Sequence, residues 1–170
     1  RHFKVPAPPT RRDARRRPMK RALLIRFSSL GDVLLTLPAA RSLKEAFPGA
    51  EIAFLTKAAY RPLLEGQAGI DRVVTAEEAG PGPTAIARFC RGLGRFDVAL
   101  DLHRTLRSGA CLRAVRADRK LAYRKDALLR RLWAAGWMRG RMAGAHPHVI
   151  DRYLEPLRSL GAAPAHAVPE

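Results

Sequence analysis

LLIRFSSLGDVLLTLPAA, residues 23–40, sets a short apolar run against a polar turn and then a second, longer apolar run. With Arg21 and Ala22 ahead of it, the first run reads RALLIRF, short and apolar throughout, as a strand buried on both faces must be. The second, DVLLTLPAARSLKEAF, has helix length. It is predicted to begin near Asp32 and to stop before Pro48-Gly49, with Pro38 as an early kink. Outward from this unit the same alternation recurs. Strands are predicted in EIAFLT (51–56), IDRVVTA (70–76), FDVALDL (96–102) and RKLAY (119–123). Helices are predicted near 57–64, in PTAIARFCRGLG (83–94), around 105–115 and in HVIDRYLEPLRSLG (148–161). In the last of these Ile150, Tyr153, Leu154, Leu157 and Leu160 fall on one face, and Gly161 suits a C-cap. Strands alternating with helices imply right-handed βαβ units, hence an α/β, Rossmann-like fold: a parallel sheet with helices on both faces.

The 170 residues suffice for one domain with a sizeable core, and a hydrophobic content of 47% fits a globular chain. Charge is lopsided, with 32 Lys and Arg against 15 Asp and Glu, a net +17. That field favours anionic partners: nucleic acid, phosphorylated molecules or an acidic membrane surface. Residues 1–18 hold four prolines, three of them before Arg11, and a basic cluster, and carry six of those net charges. They read as a disordered arm or an upstream extension. Cys90 and Cys111 lack CxxC spacing and read as buried small residues of a reducing compartment. No apolar run reaches the roughly 20 residues that span a bilayer, and a cytoplasmic protein is expected.

In an open α/β sheet, ligands bind where strands lead into helices at their carboxyl ends. Residues 28–32 hold that position after the first strand. Ser28, Ser29 and Gly31 let the backbone approach a ligand, and N–H groups at a helix start favour an anion. Neither a Walker GxxxxGK[ST] nor a GxGxxG pattern is present, and Asp32 makes the turn a poor phosphate cradle. Asp32 has two compatible readings, as an N-cap and as an ionised catalytic carboxylate. Arg26 and the helix end both favour its charged form.

LLIRFSSLGDVLLTLPAARSLKEAFPGAEIAFLT resembles the amino-terminal start of the ADP-heptose:lipopolysaccharide heptosyltransferases, glycosyltransferase family 9. FDVALDLHRTLRSG is similar to that family's fourth-strand block, D-x-[HQ]-x-x-x-[RK]-S, and HVIDRYLEPLRSLG to the helix closing its first domain. The resemblance implies the amino-terminal half of a GT-B enzyme that transfers heptose with inversion and without a required metal. Residues 19–163 would be the acceptor-binding domain and 164–170 the start of an interdomain linker. The carboxyl-terminal domain that holds the ADP-heptose donor would be missing, leaving the isolated chain inactive. Asp32 matches the proposed catalytic base, Arg26 a basic position beside it, and Ser28, Ser29 and Gly31 the turn that shapes the pocket. No cofactor is expected, and no D-x-D metal pattern occurs.

An acceptor rich in carboxylates and phosphates, such as the anionic lipid A core, would need cations at this edge. Arg104 and Arg107, just past the fourth strand, suit it; solvated surface charge is the alternative. His103 reads as a loop hydrogen-bonding residue. Arg124 and Lys125 are further candidates through the resemblance, and Lys57 and Arg61 follow the second strand. His146 and His148 lack a third ligand and a helical i, i+4 spacing. Segment 128–142 sets Leu129, Trp133 and Trp137 at i, i+4 steps among arginines. It suits a peripheral helix on the inner membrane's cytoplasmic face and equally one packed on the sheet. The competing function is a basic nucleic-acid-binding α/β module without catalysis, against which stand 6% aromatic residues without stacking-platform spacing.

Overall fold

A computed structural model of the chain describes residues 18–123 and 149–162. Five parallel strands, β1 (Arg21–Ile25), β2 (Glu51–Thr56), β3 (Arg72–Thr75), β4 (Arg95–Asp101) and β5 (Arg116–Ala122), form one sheet in the order β3-β2-β1-β4-β5. The helices are α1 (Leu30–Leu34), α2 (Leu37–Ala46), α3 (Arg61–Leu64), α4 (Pro83–Gly92), α5 (Leu106–Ala114) and α6 (Val149–Arg158). This is the α/β, Rossmann-like sheet predicted from the alternation.

Side chains alternate across a strand, so β1 feeds two cores at once. Ala22 and Leu24 pack with Ile52, Phe54, Val98 and Leu100 under α2 and α6, where Ala39, Ala40, Leu43, Tyr153, Leu154 and Leu157 close the layer. Leu23 and Ile25 pack on the other face with Leu55, Val74 and Ala99, against Ile86 and Cys90 of α4 and Cys111 of α5. Each fully buried Leu or Ile here contributes about 1.5–3 kcal/mol relative to exposure. Cys90 and Cys111 are free thiols, both buried. Gly69 lies against α2: its φ is +93°, and an added Cβ would stand 2.8 Å from the Arg41 amide nitrogen.

Two predicted elements differ in an instructive way. The helix expected as one piece from Asp32 is two helices parted at Leu35 and Thr36. Pro38 occupies the first turn of α2, where its missing N–H is harmless; in a continuous helix it would clash with the preceding turn. Thr36 is fully buried at the break and donates its hydroxyl to the Val33 carbonyl, 2.6 Å away. The fifth strand begins at Arg116, three residues before RKLAY. Among the described residues it is an edge strand that pairs with β4 alone, and its mostly exposed residues gave no apolar signal there. Residues 1–17 of the arm, Arg124, Lys125, segment 128–142, His146, His148 and 164–170 lie outside the described residues.

Candidate active site

The strand order reverses at β1. Chain leaving it winds through β2 to β3, then crosses back to β4 and β5, so the connections after β1 and β4 diverge at the carboxyl edge. That switch point is where open α/β sheets place ligands. Ile25 and Asp101 are register partners, so the two loops start side by side.

Asp32 is the third residue of α1, and Ser29, not Asp32, is the N-cap. Its role in the helix start is the return arm of a capping box. Asp32 Oδ2 accepts from the Ser29 backbone N–H at 3.3 Å and the Ser29 hydroxyl at 3.0 Å. The Arg26 guanidinium closes on the same oxygen at 2.5 Å, while the Asp32 side chain keeps 37% of its exposure. Three donors converge on Oδ2, and Oδ1 has no partner among the described residues. Partial burial pushes the carboxyl up, but the Arg26 charge and the Ser29 bonds outweigh it and hold it below the ordinary value of 3.8.

Arg26, expected at the acceptor, is 5% exposed and spent on the protein itself. Its Nε donates to the Ser28 carbonyl at 2.7 Å. One terminal nitrogen donates to the Leu102 carbonyl and, at 3.0 Å, to the Tyr153 hydroxyl of α6. The other holds Asp32. A buried guanidinium needs this many acceptors to offset its lost hydration. Arg26 therefore ties the ends of β1 and β4, α1 and α6 into one node.

The loop after β4 is shaped by Asp101, 2% exposed, which was not singled out from sequence. One carboxylate oxygen accepts the backbone N–H groups of His103 and Arg104 at 2.8 and 2.9 Å, and the other the Ser108 hydroxyl at 3.0 Å. The first and last residues of the D-x-H-x-x-x-R-S run are thus bonded to each other. The turn forces Arg104 to φ +57°, a rare region for a side chain with a Cβ. Arg104 is exposed, and its guanidinium has no partner among the described residues. The Arg107 guanidinium lies 5.3 Å from the Phe27 ring centroid and 3.5 Å from the Ala76 carbonyl. His103 sits with its nitrogens 3.4 Å from the Ser28 and Thr105 hydroxyls, the loop-bonding role predicted for it.

Ser28 is half-buried, while Ser29 and Gly31 are exposed, and a Cβ at Gly31 would meet nothing within 4 Å. Leu106, at the start of α5, is 96% exposed. Lys57 lies at the same edge beyond β2, whereas Arg61 pairs with Glu78 at 3.0 Å. Arg26, Ser28, Ser29 and Arg104 lie on the loops after β1 and β4, and Gly31, Asp32 and Arg107 in the first turns of the helices those loops enter. Among the described residues no cluster of three His, Cys, Asp or Glu could hold a metal ion, and no helix is long and apolar enough to cross a membrane.

No protein-family model and no curated protein matches the sequence. Solved structures do match, among them glycosyltransferase family 9 proteins. One is a glycosyl transferase family 9 protein from Veillonella parvula, with TM-score 0.65 and 20% identity over 85% of this chain and 42% of that one. Another is the Escherichia coli heptosyltransferase WaaC with ADP-2-deoxy-2-fluoro heptose, with TM-score 0.63 and 22% identity over 87% and 50%. The E. coli ADP-heptose lps heptosyltransferase II follows with TM-score 0.59 and 22% identity over 81% and 40%. The chain thus has the fold of these transferases and spans half of their length or less.

Proposed function

We propose that this chain is the acceptor-side domain of an inverting glycosyltransferase that moves heptose from ADP-heptose to the lipopolysaccharide inner core, with Asp32 as the base. The observation that carries the reading is the asymmetry of the Asp32 carboxylate: Oδ2 is held by three donors while Oδ1 is unclaimed among the described residues. A base must be ionised, fixed and able to accept one proton at a defined atom, and this carboxylate meets all three demands. The Oδ1 lone pair would take the proton of the acceptor hydroxyl as its oxygen attacks the anomeric carbon. ADP leaves with the electrons of the breaking bond. Inversion follows from attack opposite the leaving group.

The acceptor in this reading is the anionic lipid A core, and Arg104, fixed in backbone and free in side chain, is the cation best placed to meet it. Arg107 backs it, and Ser28, Ser29 and Gly31 form the floor. A donor-binding domain outside this chain would supply the ADP-sugar, so the isolated chain should not turn over. No metal or cofactor enters the scheme. The acceptor's lipid places the reaction at the cytoplasmic face of the inner membrane. A nucleic-acid module fits less well, because aromatic residues make up only 6% of the chain and lack stacking-platform spacing.

The test is Asp32→Asn in the full-length protein. The amide still accepts from Ser29 and Arg26 but cannot take the proton, so single-turnover transfer should fall by about 10²–10⁴-fold. A charge-assisted bond becomes a neutral one, which costs stability about 1 kcal/mol. Transfer reduced by less than about tenfold would remove Asp32 as the base.

A further inference from the structure

We propose that Tyr153 is a positioning residue for Asp32: from α6 it locks the Arg26 guanidinium so that the arginine grips only Oδ2 and leaves Oδ1 available. The inference rests on the reading of Asp32 as the base. Tyr153 is 2% exposed and sits in an apolar stripe with Leu154, Leu157 and Leu160, where packing alone would be served by phenylalanine. A buried hydroxyl without a partner is costly, and this one accepts from Arg26 at 3.0 Å. The ring also lies under the guanidinium, with the Arg26 central carbon 5.5 Å from the ring centroid. Tyr123, one residue past β5, fixes that ring edge-on at 5.2 Å between centroids, and its own N–H donates to the Asp101 carbonyl at 3.2 Å.

The guanidinium is planar, so its four contacts are not independent. The Ser28 and Leu102 carbonyls fix two N–H directions from the strand ends, and the Tyr153 hydroxyl, bonded to the same terminal nitrogen as Leu102, and its ring fix the tilt of the plane from α6. That tilt decides where the remaining nitrogen meets Asp32, and it meets Oδ2 alone. Without the hydroxyl the plane can rock, letting the arginine loosen its hold on Oδ2. The charged and titratable groups facing Asp32 are Arg26 from β1's end and Tyr153 from α6; those facing Tyr153 are Arg26, Asp32 and Tyr123. Burial raises the Tyr153 phenol, so it stays neutral while Asp32 titrates.

The test is carboxyl-carbon NMR titration of Asp32 in this chain, for wild type, Tyr153→Phe and the control Tyr123→Phe. Tyr153→Phe keeps the ring and its packing. The Asp32 midpoint should rise in Tyr153→Phe and stay at the wild-type value in Tyr123→Phe. In the unmutated chain the Arg26 guanidinium and Tyr153 ring signals should shift with the Asp32 midpoint, a readout needing no variant. In the full-length protein Tyr153→Phe should slow transfer about 2–10-fold, the equivalent of one net hydrogen bond. An unchanged Asp32 midpoint in Tyr153→Phe, or Tyr153 signals silent through that titration, would reduce Tyr153 to packing. Failure of the base reading shows separately, as normal transfer by Asp32→Asn.

Discussion

Gly31→Ala separates a glycine kept for the fold from one kept for a ligand. Gly31 is the second residue of α1, one position before Asp32, and the space around its missing Cβ is open to 4 Å. Nothing within the described structure requires glycine there. Alanine in a compatible backbone restricts the unfolded chain and favours the helix, stabilising by about 0.4–1 kcal/mol. In a domain of this size the melting temperature should rise by about 1–4 °C. In the proposed reaction the new methyl would nonetheless stand where the acceptor sugar approaches the Asp32 carboxylate. A displacement near 1 Å at a reacting centre costs on the order of 10²-fold in rate. Thermal melting of this chain and single-turnover transfer by the full-length enzyme should therefore move in opposite directions, stability up and transfer down by about 10–100-fold. Unchanged transfer would mean that no substrate passes Gly31. A lowered melting temperature would mean that its open surroundings were misjudged.

The contrasting glycine is Gly69, where φ is +93° and a Cβ would stand 2.8–2.9 Å from α2 backbone atoms at Ala40 and Arg41. Gly69→Ala should destabilise by about 2–4 kcal/mol in urea unfolding, adding left-handed strain to overpacking, and a loss under 1 kcal/mol would refute that geometry. Stability should also fall in acid. Burial raises the Asp71 and Asp32 carboxyls, but the Ile52 N–H and Lys44 outweigh it at Asp71, and Arg26 and Ser29 at Asp32. At Glu78 the Thr75 hydroxyl bond leads the lowering. Groups lowered on folding contribute fully above their unfolded values, 3.8 for Asp and 4.5 for Glu, and that contribution is lost as pH falls through the folded ones. Asp71→Asn should flatten the acid limb of a stability–pH curve, and an unaltered slope would count against the Lys44 clamp.

The strands were legible where burial was two-sided: EIAFLT was located to the residue because every position from Ile52 to Thr56 is buried. RKLAY was read short because β5 is an edge, with solvent tolerating Arg116, Asp118 and Arg119. Asp32 was legible because an acid at a switch-point turn is unusual in so basic a chain. Arg26 was legible as the cation beside Asp32, but not its burial or its other partners, since charge at a strand end says nothing of the acceptors that other elements supply. Asp101 could have been found from the D-x-H-x-x-x-R-S run, whose spacing lets a strand-terminal carboxylate meet a hydroxyl one helical turn in. Tyr153 offered only a hydroxyl in an apolar stripe, a signal that gains meaning once α6 is known to pass Arg26.

Under the proposed reaction, a carboxylate held below its ordinary pKa can still serve as a base. A weak base removes little proton density from a ground-state sugar hydroxyl, whose own acidity is far lower. As the hydroxyl oxygen bonds to the anomeric carbon, however, its acidity rises steeply, and transfer to Oδ1 becomes favourable late in the reaction. At that stage position matters more than basicity. The Arg26 node supplies position. It draws on two adjacent strand ends and on helices α1 and α6, rigid elements whose side chains form the core, so Oδ2 is held from several directions. Ionisation at neutral pH and a fixed acceptor atom thus share one cause. The same arginine that weakens Asp32 as a base keeps it charged and in place.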